Sequence, residues 1–251
     1  MAKYLILDDE SNLIMGTCED IVGLTGECTI IEKNESFHKI ILEDLKLTQS
    51  FKEYCIKTKS SVTNIHLGII DVHGNSIGSY YFSLKVPLYI HKIGAENKQR
   101  YVELIGTLLS KASKEALEIW EMWRQSPPES TNLWSSLTEQ QREGWLEVAR
   151  LYFKRSSNQQ DEKHGVYSFD ATYVKDSTSF FCALGEAING SGGYFGFDLM
   201  SLEDCFCGGF GVVPPFTLNV QNDCDFFETD NVFLTQLNEI FADKQVKIVR
   251  L

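Results

Sequence analysis

Between Asp176 and Asp243 the chain has 68 consecutive residues without a lysine, arginine or histidine, and eleven aspartates and glutamates fall in the same stretch. A segment with no basic patch has nothing to neutralise phosphates with, which excludes nucleic acid and anionic membranes as its ligands. The whole chain carries a net charge of −12. Residues 166–251 have 12 acids against 4 bases, net −8, and residues 1–165 have 23 against 19, net −4. About a third of the chain therefore holds two-thirds of the excess. No apolar run is long enough to span a membrane. The start, MAKYLILDDESN, runs from a short apolar patch straight into acids. It lacks the apolar region of a secretory signal and reads as a first strand in a cytoplasmic protein. The seven cysteines (Cys18, Cys28, Cys55, Cys182, Cys205, Cys207 and Cys224) are odd in number and include no C-x-x-C pair. They read as reduced, packed thiols rather than a disulfide framework or metal site. All five histidines precede Cys205 and Cys207, so no local Cys/His cluster forms. H-E-x-x-H, G-x-S-x-G and P-loop motifs are missing, and GSGG at 190–193 has no Lys-Ser/Thr after it. The chain reads as a non-enzyme with no cofactor and no metal.

What is present is 43% hydrophobic and 12% aromatic sequence over 251 residues, enough to bury one large core or two modest ones. The N-terminal part reads as β-rich: KYLILDD, ECTIIEK, NIHLGIIDV and GSYYFSLKVPLYI combine β-branched and aromatic residues, with DVHGNSIG as the clearest hairpin. An antiparallel sheet or small barrel follows, with FHKIILEDL (37–45) open between strand and short helix. From 97 to 123 the apolar spacing (101, 102, 104, 105, 108, 109, 112, 116, 119, 120, 123) predicts one long helix, broken by QSPPES. A second helix opens on a capping box at Thr138 and Gln141 and runs to about Arg155. The polar tract 156–165 reads as a linker between a domain at 1–155 and another at 166–251. In the latter, strand (166–174), helix from Asp176 or Ser177, Gly-rich turn, helix (199–207), strand (215–221), helix (231–243) and strand (245–251) predict an α/β fold with a three-stranded parallel sheet.

The stretch GYFGFDLMSLEDCF, 193–206, sets a tyrosine, read as exposed, ahead of a short acidic helix. Leu199, Leu202 and Phe206 mark the core stripe. Met200 and Asp204, at i and i+4, share another face beside Glu203. With the order of elements over 166–251 and the ending LTQLNEIFADKQVKIVRL, YFGFDLMSLEDCF resembles the barstar family of intracellular ribonuclease inhibitors. The resemblance covers about a third of the chain and none of 1–155. It implies an immunity protein that plugs the basic active site of a ribonuclease or nuclease toxin, one-to-one, with an acidic helix imitating substrate charge. Carried over by position, Tyr194 matches a tyrosine that packs on the nuclease, and Asp204 the aspartate that enters its phosphate site. Glu239 matches a peripheral late-helix glutamate, Gly196 the turn, and Cys205 a helix thiol. Met200 departs from the pattern by replacing the family's other helix acid, and Asp198 stands two residues earlier. The loss of that acid points to a different toxin or a retuned interface.

Two other readings compete. Asp223, Asp225, Glu228 and Asp230 could hold a divalent cation for a hydrolase, although the spacing lacks the turn glycine of an EF-hand loop. The 101–123 stripe, with Trp120 and Trp123, could dock a partner helix as a scaffold, and such stripes are more often core.

Overall fold

The computed structural model describes residues 2–58, 61–89, 101–153, 160–222 and 232–250. The chain folds as two compact units, Met1–Lys114 and Glu115–Leu251.

The first unit is a nine-stranded antiparallel sheet. Its strands are β1 (Tyr4–Asp8), β2 (Ile14–Cys18), β3 (Asp20–Val22), β4 (Thr29–Glu32), β5 (Glu35–Glu43), β6 (Lys46–Leu47), β7 (Ser61–Ile70), β8 (Ser76–Tyr89) and β9 (Tyr101–Leu108), with helix α1 (Gln49–Lys57) after β6. They pair in the order β3-β5-β9-β8-β7-β1-β2-β6, with β4 on β5. The expected hairpin joins β7 to β8 around Asp71. Its carboxylate accepts from the backbone N–H groups of His73 and Asn75, both at 2.8 Å, and closes the turn.

The undecided segment 37–45 lies mostly in β5, where His38, Ile40 and Leu42 are buried in alternation, the period of a strand. The long helix expected over 97–123 is a correction. Tyr101–Leu108 is strand β9, and helix α2 spans only Lys114–Gln125. Leu104 and Leu108 face inward at spacing four, which a helix would also produce; the pairing of β9 with β5 and β8 decides for strand. His38 Nδ1 accepts the backbone N–H of Leu108 at 3.3 Å, and burial together with the Lys111 charge holds its pKa below the usual histidine value.

The second unit begins with α2, a 3₁₀ turn (Leu133–Ser136) and α3 (Glu139–Tyr152), which starts on the expected Thr138–Gln141 capping box. Then come β10 (Val166–Asp170), α4 (Ser177–Asn189, capped by Asp176), α5 (Leu199–Phe206), β11 (Thr217–Gln221), α6 (Val232–Lys244) and β12 (Lys247–Arg250). The three strands form a parallel sheet in the order β10-β11-β12, as the alternation of strands and helices predicts. Fold class is thus mixed α/β, with six α-helices among the described residues.

Of the tract 156–165, expected to separate domains, 156–159 lie outside the described residues and 160–165 belong to the second unit, whose boundary falls at Lys114/Glu115. The reason is chemical: α3 and the 3₁₀ turn are tied to α4 through buried charge. Arg142, 1% exposed, donates from Nε to Thr178 Oγ1 at 3.2 Å, from Nη1 to the Leu137 carbonyl at 2.6 Å, and from Nη2 to the Asp176 carboxylate. Glu186, 8% exposed, accepts at Oε2 from Asn132 N–H at 2.8 Å and from the Trp134 indole N–H at 3.0 Å. Trp120 and Trp123 are buried, and the Trp123 ring meets Trp145 (4.9 Å) and Tyr152 (5.1 Å) edge-to-face. Of the stripe read as a docking face for a scaffold, Ala116, Ile119, Trp120 and Trp123 on α2 are core, whereas Tyr101 and Leu109 are exposed.

Candidate functional site

Helix α5 is short, and its N-terminus is built by a reciprocal cap. Asp198 Oδ1 accepts Ser201 N–H at 2.7 Å, and Ser201 Oγ accepts the N–H groups of Asp198 (3.0 Å) and Phe197 (2.8 Å). Asp198 is thereby committed to starting the helix, where a negative charge also suits the helix dipole. Leu202, Cys205 and Phe206 are buried; Met200, Glu203 and Asp204 are exposed on the other side. The exposed face read from spacing is the one the structure presents, while Leu199, expected on the core stripe, is half-buried and Cys205 joins Leu202 and Phe206 inside.

Tyr194 is corrected. It is 3% exposed, packed 5.8 Å from the Phe210 ring, and burial pushes its phenol pKa up. It supports the turn rather than offering its ring to solvent. The exposed aromatic of the loop is Phe197, at 47%, with Met200 three residues on at 75%. Phe197 was missed because the chain reverses at Gly196, whose φ of +91° belongs to the left-handed region. A Cβ there would meet the backbone N and Cα of Leu202 at 3.1 Å. Gly196→Ala is expected to cost about 1–2 kcal/mol in denaturant unfolding, because it adds a Cβ to a left-handed residue against backbone that cannot move aside.

The loop is held from beneath. Asn189 Nδ2 donates to the carbonyls of Tyr194 (2.7 Å) and Phe210 (3.1 Å), and Gly192 N–H donates to Glu186 Oε1 at 3.4 Å. Helix α6 lies beside α5, with Phe206 and Phe241 rings 6.3 Å apart. Lys244, the first base after the base-free stretch, pairs with Asp243 at 3.0 Å; that bond and the Asp243 charge, with a smaller contribution from Glu203, raise its pKa. Glu239 is exposed one turn before Asp243 on α6. Among the described residues no cationic side chain pairs with Asp204 or Glu239.

Cys205 is buried, and desolvation with the nearby Asp204 charge pushes its thiol up to about 12, so it packs as a neutral thiol. Cys207 is exposed, its thiol donating to the Glu203 carbonyl. Among the described residues Cys18, Cys28, Cys182, Cys205 and Cys207 are free thiols, and Cys224 lies outside the described residues. So do Asp223, Asp225, Glu228 and Asp230, the candidate cation cluster. Among the described residues no group of three or more His, Cys, Asp or Glu side chains is placed to share a metal ion, and no helix is long and apolar enough to cross a membrane. What the face can do chemically is accept hydrogen bonds from ammonium and guanidinium groups around an apolar pair. No protein-family model matches the chain, and no curated protein or solved structure does.

Proposed function

We propose that this protein is a cytoplasmic inhibitor of the immunity type, which uses the α5 face to cover the basic active site of a ribonuclease or other nuclease toxin, one-to-one and without chemistry of its own. The observation that carries this reading is the exposed pairing of Glu203 and Asp204 with Met200 and Phe197, on a helix within a 68-residue stretch that has no base. A nuclease site lined with Lys, Arg and His is complementary to such a face, and a local field of one sign speeds encounter with a basic partner while repelling RNA. The likeness of 194–206 to the barstar family and the parallel three-stranded sheet support the same reading. Asp204 and Glu203 act as the carboxylates that meet the partner's cations, and Glu239 as a peripheral one. Met200 supplies apolar contact where the family carries a second acid, and Phe197 adds to it from the preceding loop. Tyr194, Gly196 and Asp198 hold the loop and helix in position.

An RNA-cleavage assay tests this. With small basic ribonucleases and the product of any adjacent toxin gene, a cognate enzyme should lose activity in proportion to added protein and stop at equimolar ratio. Undiminished cleavage across such a set at molar excess would count against the reading.

A further inference from the structure

The loop that ends α5 is built to hold a carboxylate, and it holds one. Asp161, more than forty residues away in sequence, is placed so that Gly209 N–H donates to both of its oxygens (3.2 and 3.0 Å) and Gly211 N–H donates to Oδ1 at 3.0 Å. Gly208, Gly209 and Gly211 all have positive φ, which turns these N–H groups to one side, as in the backbone nests that bind anions. At Gly208 a Cβ would lie 2.9 Å from Asp161 Oδ2, so the carboxylate occupies space that only glycine leaves. The contact sits where the chain leaves α5: Cys207 N–H donates to the Asp204 carbonyl at 3.0 Å and Gly208 N–H to the Cys205 carbonyl at 3.1 Å. The strand side is fixed as well, because Glu162 N–H donates to the Gly211 carbonyl and Val213 N–H to the Glu162 carbonyl.

We propose that the 208–211 loop is a carboxylate receptor occupied in cis by Asp161, and that Asp161 is thereby a positioning residue for the last turn of α5, which carries Glu203 and Asp204. This rests on the reading of α5 as the partner-binding face. A helix of two turns has too few internal hydrogen bonds to hold its own end rigid, and a face that meets its partner already ordered loses less entropy on binding. The second tether of the loop, Asn189 to the Phe210 carbonyl, fixes its middle and leaves Gly209 and Gly211 N–H to Asp161.

The test is amide hydrogen exchange on the full chain, comparing the native protein with Asp161→Ala and Asp161→Asn, with and without excess formate. Asp161→Ala should speed exchange of Gly209 and Gly211, and of the Cys207 and Gly208 amides in the last turn, by about tenfold or more, while amides of α4 and β11 keep their native rates. Asp161→Asn, which keeps an uncharged acceptor, should fall between. Formate should restore protection in Asp161→Ala, where chloride at equal ionic strength does not. Native rates at Cys207 and Gly208 in Asp161→Ala, uniform acceleration across the unit, or no rescue by formate would each overturn the proposal. The experiment needs no partner, so a failed search for a nuclease and a failed positioning role are told apart.

Discussion

Arg142→Ala is expected to destabilise the second unit by about 3 kcal/mol, visible as a lowered midpoint in urea with an unchanged slope. The guanidinium is almost wholly buried and is spent on three acceptors: Thr178 Oγ1, the Leu137 carbonyl and the Asp176 carboxylate. Its removal takes the donor from buried Thr178 Oγ1 and from the half-buried Leu137 carbonyl, and strips Asp176 of its counter-charge. Asp176 side-chain exposure of 26% lets water recover part of the loss, which sets the expectation at the lower end for a buried pair. Arg142→Met should recover packing but not the acceptors, and so fall between. The same cluster sets the acid response. Burial works to raise the Asp176 and Asp170 pKa values, and hydrogen bonds outweigh it, those of Ser179 and Thr178 on Asp176, and those of Thr172, Asn132 and Asn222 on Asp170, which is held at about 2. Both folded values lie below the unfolded ones. Their stabilisation is therefore complete above the ordinary carboxylate range and is lost as pH falls from there toward about 2.

Glu186→Ala should cost about 3 kcal/mol and, unlike Arg142→Ala, should loosen the approach to α5 directly. One carboxylate takes N–H groups from Asn132, the Trp134 indole and Gly192, and the variant leaves two buried donors, Trp134 and Gly192, and the half-buried Asn132 N–H without their acceptor. Glu186→Gln retains an acceptor oxygen and should cost less. Trp134, fully buried, is the local reporter: its indole N–H resonance should shift in both variants, and only in Glu186→Ala should the Gly192 amide also lose protection. The sign of the pH effect is opposite to that of the aspartates. Burial raises the Glu186 pKa, so its contribution is present at low pH and is lost as pH rises past the unfolded value toward the folded one.

Much of the second unit was legible because its signals are local. The Thr138–Gln141 box, Asp176 ahead of an apolar helix, and the 3.6-residue spacing of Leu199, Leu202 and Phe206 each sit within a few residues. What escaped the sequence is non-local. The spacing of Tyr101–Leu108 satisfies helix and strand alike, and the answer lies in β5 and β8 on either side. Tyr194 is buried because Gly196 reverses the chain and Phe210 closes over the ring, and that same reversal brings Phe197 out. Arg142 and Glu186 meet partners 34 and 52 residues away, which is why α3 belongs with α4 rather than with the sheet before it.

The claim that the α5 face binds a basic nuclease is tested most directly by calorimetric titration of the intact protein against such enzymes, with Asp204→Ala and Glu203→Ala alongside. One-to-one binding, weakened on the order of tenfold to a hundredfold by Asp204→Ala and weakened further by added salt, is the expected result. One-to-one binding that neither substitution disturbs would contradict it, and would place the contact elsewhere on the molecule.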